Sequence, residues 1–175
     1  TLACMPGCTI RSSNVYADVD GETIVSTLQY ETIAMCGSNL GISDLDTIAR
    51  INYVLNDLGM DSIEMGAALG VAAQAGILDF GDGRGAMELL AEVRQGTPLG
   101  RIIGHGAATV GKVFGIRRIP VVKGQAMPGY DPRAVKGTGI TYATSPQGAD
   151  HTCGLTIRAN VDHLSPEGQA ELSLN

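Results

Sequence analysis

Two cysteines near the start of the chain, Cys4 and Cys8 in "CMPGC", have the spacing of metal ligands. Thiolates three to four residues apart, held by a Pro-Gly turn, reach adjacent corners of an iron–sulfur cluster, which usually needs four cysteines. The chain has two more, Cys36 and Cys153. Two disulfides or four ordinary buried thiols are the other readings, and reduced thiols in a cytoplasmic protein are the expectation where no targeting segment is present. His151, in "GADHT", lies between Asp150 and Thr152 after a run of Thr, Ser, Pro, Gly and Ala. Its imidazole either does chemistry or punctuates a turn. Glu31, in "QYET", reads by itself as a solvated or capping side chain near a helix start. A last candidate is Gly81-x-Gly83-x-x-Ala86, leading into a helix. It fits the loose dinucleotide-binding pattern, in which glycines let backbone approach a pyrophosphate, and so names an NAD(P)-dependent oxidoreductase as an alternative. The residues before it are a helix tail, and no acidic residue follows about 20 positions later.

The elements that must position these groups are mostly helical. Ser43 with Asp46 reads as a capping box opening a helix that Gly59 stops. Asp61 with Glu64 opens a second, running to about Gly76, whose Gly66, Ala67, Gly70 and Ala73 present small faces. A third covers residues 85–96. Thr97–Pro98 opens a fourth that breaks around Gly104–Gly106 and resumes through Phe114. Residues 118–130 read as an irregular crossing segment, and Asp131–Pro132 as the N-cap and first position of a helix containing Gly137 and Gly139. A further helix begins at Pro166. Strand evidence is thin, with only loose alternation over 10–19 and 21–32. Two domains are expected, 1–117 and 118–175.

With 175 residues, 44% hydrophobic and 17% charged, the chain can bury a core. A net charge of −6 without a basic stripe speaks against a nucleic-acid partner. The most apolar window, residues 66–78, is shorter than the roughly 20 residues a membrane span needs. Twenty-four glycines without a repeat period point to tight turns and close backbone approaches. Both ends look cut, so a fragment of a longer protein is expected.

Three stretches in this order carry a resemblance: "CMPGC", "YETIAMCGSNLGISDLDTIARINYVLNDLGMDS" and "KGQAMPGYDPRAVKGTGITYATSPQGADHT". From Cys4 to about Glu171 the chain resembles the aldehyde:ferredoxin oxidoreductase family, the tungsten- or molybdenum-bispterin enzymes. The resemblance implies a mainly α fold, made of the family's helical second domain and the opening of its third, truncated at both ends. The β-rich first domain and the C-terminal remainder would be missing.

It also implies an activity: oxidation of an aldehyde-like small molecule to its acid, with electrons passing through a [4Fe–4S] cluster to ferredoxin. Cys4 and Cys8 match two cluster ligands, and Thr1 stands where the family has another, so the fragment alone is expected to hold no stable cofactor and to be inactive. A helical module without activity of its own is the other alternative reading. "NDLGMDS" matches one copy of the pterin-binding motif through Asn56, Gly59, Asp61 and Ser62, with Asn56 and Met60 departing from the usual Asp and Leu. Glu31 matches an acidic residue beside the metal. Tyr130 and His151 match residues on its substrate side. Proton transfer would fall to Glu31 and His151. "ADHT" departs from the common ending of the last motif, which puts the substrate in doubt. Arg50-Ile51-Asn52-Tyr53 stands where some members carry Glu-x-x-His, so no intersubunit metal is expected. His105 and His163 have no match and read as surface or loop residues.

Overall fold

A computed structural model describes residues 1–154, 156, 157 and 160; the Pro166 helix start and His163 lie outside the described residues. Strands β1 (Asn14–Ala17) and β2 (Thr23–Leu28) form an antiparallel pair, with Tyr16 opposite Val25. Helix α1 (Tyr30–Cys36), a short 3-10 turn at Ser38–Leu40, α2 (Leu45–Leu58), α3 (Ser62–Gln74), α4 (Gly83–Gln95), α5 (Pro98–Gly104) and α6 (Ala107–Phe114) follow. The chain divides into two units, Thr1–Ile119 and a second beginning at Pro120. The second holds a two-residue-stranded hairpin, β3 (Val121–Val122) with β4 (Gln125–Ala126), and α7 (Lys136–Thr144). The architecture is mainly α.

Helix α3 is the centre of the first unit. Met65 through Leu69, Val71 and Ala72 are all buried, and α1, α5 and α6 pack against it. A helix apolar on every side belongs inside a bundle. Around it, Ile51 and Leu55 from α2, Leu90 from α4 and Ile103 from α5 are fully buried, each contributing about 2 kcal/mol of transfer free energy. Two glycines let backbones meet. A Cβ on Gly100 would lie 2.0 Å from the Glu92 carbonyl oxygen, where α5 crosses α4. One on Gly66 would lie 2.6 Å from Met35 Cβ and 2.7 Å from its carbonyl carbon, where α3 crosses α1. Asn39 fastens that second crossing, its Nδ2 donating to the Gly66 carbonyl at 3.1 Å and the Met35 carbonyl at 3.4 Å.

Several helix boundaries differ from the sequence expectation. Asp44, and not Ser43, caps α2, because its carboxylate accepts the Thr47 N–H at 2.9 Å. Asp61 caps α3 through the Glu64 N–H at 2.7 Å. The Glu64 side chain reaches across to α6, accepting the Ala107 N–H at 2.8 Å at its start. Helix α4 begins two residues early, at Gly83, behind Asp82 as N-cap. Asp131 does not cap a helix. Its carboxylate accepts the Arg133 N–H at 2.9 Å in a local turn, and α7 starts only at Lys136. The segment read as irregular contains the β3–β4 hairpin, whose turn puts Lys123 and Gly124 at φ 53° and 87°. That pair of positive φ values suits the right-handed twist of a two-residue hairpin.

Gly66→Ala is expected to lower stability by about 1–3 kcal/mol, because the methyl group meets backbone that cannot yield. Urea denaturation of the variant and the parent chain measures it. An unchanged midpoint would show that α1 and α3 have room to separate.

Candidate functional site

Where α2 ends and α3 begins, the chain turns through Gly59, Met60 and Asp61. Gly59 takes φ 67°, and its N–H closes the last turn of α2 on the Asn56 carbonyl at 3.1 Å. A left-handed residue at this point is what a helix C-cap requires, and glycine adopts it without steric cost. Asp61 then opens α3. The junction faces β2 and the start of α1, and between them lies a cleft of about 500 Å³. Asn56, Asp61 and Ser62 line it, and so does Cys4 from the N-terminal segment. The structure thus brings one cysteine of "CMPGC" to the same cleft as the "NDLGMDS" segment. Gly59 shapes the junction without lining the cleft.

Most polar groups of the cleft satisfy one another. Asn56 Nδ2 donates to Thr27 Oγ1 at 2.8 Å, fastening α2 to β2. Gln29 Nε2 donates to Ser13 Oγ at 2.7 Å, and the Thr32 and Ser62 hydroxyls share a hydrogen at 2.9 Å, joining α1 to α3. Ser13, Thr27, Gln29, Thr32 and Asn52 were not singled out by sequence motif. Asn52 alone carried a signal, as a polar residue beside Ile51 on the core side of an amphipathic helix. It is 3% exposed, and its Nδ2 has no hydrogen-bond partner among the described residues.

Cys4 and Cys8 stand together as a pair. The Cys4 thiol donates toward Cys8 and is itself held above the usual thiol range, chiefly by that bond. Cys8 is held below it, first by the backbone N–H of Arg11, then by the Cys4 thiol and the N–H groups of Cys4 and Ile10. Arg11 has φ 53°, an uncommon value for a non-glycine residue. A lowered thiol favours thiolate, the form that binds metal. Cys36 is the opposite case. It is fully buried in α1, its Sγ 3.8 Å from the Ser62 carbonyl oxygen, and desolvation with the Asp61 charge nearby pushes its thiol up to about 12. Among the described residues, no group of three or more His, Cys, Asp and Glu comes together as a complete metal site.

Glu31 sits in the first turn of α1, half-buried, next to the cleft-lining Thr32. Tyr130 and His151 belong to the second unit, and both are half-buried. The loop carrying His151 is a series of tight turns. Gly148 N–H bonds the Ser145 carbonyl at 3.2 Å, and Asp150 N–H bonds the Gly148 carbonyl at 2.9 Å. Asp150 accepts the Thr152 N–H at 2.9 Å and its hydroxyl at 2.8 Å, which together hold the carboxyl below its usual range, with a small contribution from His151. Gly148 takes φ 94° with its α-carbon pressed on β3; a Cβ there would stand 2.2 Å from the Val122 carbonyl oxygen. Lys123 Nζ donates to the Ala143 and Ser145 carbonyls at 3.1 and 2.6 Å, closing the end of α7. The hairpin therefore holds the root of the His151 loop. Gly139 gives α7 its close approach to Pro132, where a Cβ would come within 2.8 Å. His105 is exposed at the end of α5, its Nδ1 2.9 Å from the Arg101 carbonyl oxygen.

The Gly81–Ala86 segment does not have the dinucleotide geometry. No strand precedes it: α3 and a turn do. The N-terminus of α4 already holds a carboxylate, since Asp82 accepts the Gly85 N–H at 2.9 Å, so an incoming phosphate would meet a like charge. Among the described residues no helix is long and apolar enough to cross a membrane.

Residues 1–174 match the family profile of aldehyde ferredoxin oxidoreductase, domains 2 and 3. The tungsten-containing aldehyde ferredoxin oxidoreductase of Pyrococcus horikoshii is 30% identical over 167 residues, covering 86% of this chain and 27% of that protein. That of Thermococcus kodakarensis is 31% identical over 148 residues, covering 76% and 24%. The aliphatic sulfonate oxidoreductase, WOR-like subunit, of Pyrococcus furiosus is 31% identical over 178 residues, covering 87% and 28%. The chain therefore spans about a quarter of the length of these relatives.

In the metal-free chain, alkylation by iodoacetamide is expected to reach Cys8 before Cys4 as pH rises through about 7 to 9, since thiolate is the nucleophile and Cys8 loses its proton first. Cys36 is expected to react only after unfolding. Peptide mass spectrometry at each pH gives the order; equal rates at Cys8 and Cys4 would contradict the lowered Cys8 thiol, and reaction of Cys36 in the folded chain would contradict its burial.

Proposed function

Because this chain belongs to the aldehyde ferredoxin oxidoreductase family, we propose that it is the part of a tungsten (or molybdenum) bispterin oxidoreductase that grips one pterin and passes its electrons on. The observation that carries this reading is the cleft at the α2–α3 junction. Its polar lining suits a hydrogen-bonding heterocycle, and Cys4 stands in the same wall. Asn56, Gly59, Asp61 and Ser62 would hold the pterin edge. Cys4 and Cys8 would supply two ligands of a [4Fe–4S] cluster, with the remaining ligands outside this chain. When bound, the metal–pterin group supplies a two-electron acceptor and the cluster a one-electron relay. Ferredoxin is the proposed recipient, in the reducing cytoplasm that free thiols favour.

The substrate proposed is an aldehyde, as in the names of the first relatives. Aldehyde and water give the carboxylic acid, two protons and two electrons. The protein's own part is to place the reactants and move those protons. Glu31 would take a proton from the attacking water as its general base. His151 would relay a proton or orient the carbonyl, and Tyr130 would hold the substrate oxygen by hydrogen bonding. The turns around Asp150 support that role, because a fixed loop spares the imidazole a search through rotamers.

Glu31→Gln and His151→Asn in the natural-length enzyme are expected to reduce aldehyde turnover by about 10²- to 10⁴-fold. Tungsten and iron content should stay at the parent level. Metal loss in either variant would make that residue structural, and unchanged turnover would remove it from the proton path.

A further inference from the structure

One residue lining the cleft, Asn52, carries a buried amide nitrogen with no hydrogen-bond partner among the described residues. Asn52 and Asn56 are one helical turn apart on α2 and line the same cleft. Asn56 is exposed and donates to Thr27, whereas Asn52 is 3% exposed and its Nδ2 is unpartnered. Burying an amide N–H without an acceptor is unfavourable, and folded proteins keep few such groups without a reason. Leucine has the same branching and number of side-chain heavy atoms, and its neighbours here are the buried Ile48, Ile51 and Leu55 of the same helix. The orphaned donor is therefore destabilising in the empty chain and becomes useful once an acceptor enters the cleft.

The lining also states which acceptor. Among the described residues it includes no Lys, Arg or His, and it carries the Asp61 carboxylate. Such a wall repels a phosphate and suits an uncharged ring edge bearing carbonyl oxygen or ring nitrogen. A neutral, desolvated amide N–H is matched to that atom type.

We propose that Asn52 is a further pterin-binding residue, donating from Nδ2 to a carbonyl oxygen or ring nitrogen on the pterin edge and not to its phosphate. The proposal rests on the reading of the α2–α3 cleft as a pterin site. It also predicts opposite effects on the empty and loaded protein, which a merely structural asparagine would not produce.

The test uses the natural-length protein and three variants: Asn52→Leu, Asn52→Ala, and Thr27→Trp, which fills the cleft from its exposed rim. Pterin content is read from the fluorescence of the extracted, oxidised cofactor, and thermal midpoints are measured on protein produced without cofactor. Asn52→Leu is expected to raise the cofactor-free midpoint by a few degrees while making pterin loss about tenfold faster. Asn52→Ala should also speed pterin loss, so that poor folding of the leucine variant leaves the question open to measurement. Parental pterin retention in both Asn52 variants, together with loss in Thr27→Trp, overturns the role of Asn52 and leaves the cleft reading standing. Parental retention in all three overturns both. A lower cofactor-free midpoint in Asn52→Leu, with pterin retained, would assign the amide to the fold instead.

Discussion

The close approach of α1 and α3 governs the first unit. With hydrogen in place of a side chain at Gly66, the two backbones meet directly, and Asn39 bonds carbonyls on both. Everything around the cleft takes its position from that contact. It sets Thr32 against Ser62, brings the Cys36 thiol under the start of α3, and leaves Glu31 in the first turn of α1 beside the cleft wall. Packing through backbone fixes distance more sharply than packing through flexible side chains, because peptide units have no rotamers to exchange. The cleft wall inherits that precision.

A second constraint is electrical. The segment before β1 makes few buried contacts, and most of its residues are exposed. Its order comes from turns and from the Leu2 N–H bonding the Ser13 carbonyl at 2.6 Å. The Cys8 thiol is held below its usual range, chiefly by the backbone N–H of Arg11, an effect that needs no cationic side chain. Arg11 itself takes φ 53°.

Much of this was legible in the sequence because helix punctuation is local. Gly59 and Asp61 read correctly as a stop and a start, since a C-cap needs a left-handed residue and an N-cap a short acceptor, whatever surrounds them. Thr97–Pro98 and the break before Ala107 read for the same reason. What did not read depended on distant partners. Glu64 looked like half of a capping box, but the N-terminus of α6, forty-three residues away, claimed its carboxylate. Asp131 looked like a cap and spent its oxygens on Arg133. Thr27 belongs to no motif and Gln29 only flanks Glu31 in "QYET", and only the folding of β2 against α2 brings them to the cleft. Asn52 was visible as a polar residue on an apolar face, yet nothing in a single sequence says that its amide goes unpaired.

The buried thiol of Cys36 has a consequence for how such a chain acquires metal. Assembly of a cluster is a competition among sulfurs for thiophilic ions, decided by which of them can shed a proton. On the proposed cluster reading, the first unit would settle that contest before any ion arrives. Burial pushes the Cys36 thiol up to about 12, whereas Cys4 is exposed and Cys8 is held below the usual thiol range. Misplaced iron, and equally an oxidant, would meet a single address in this half of the chain. Fidelity of loading would then come from withholding one thiol as much as from presenting two.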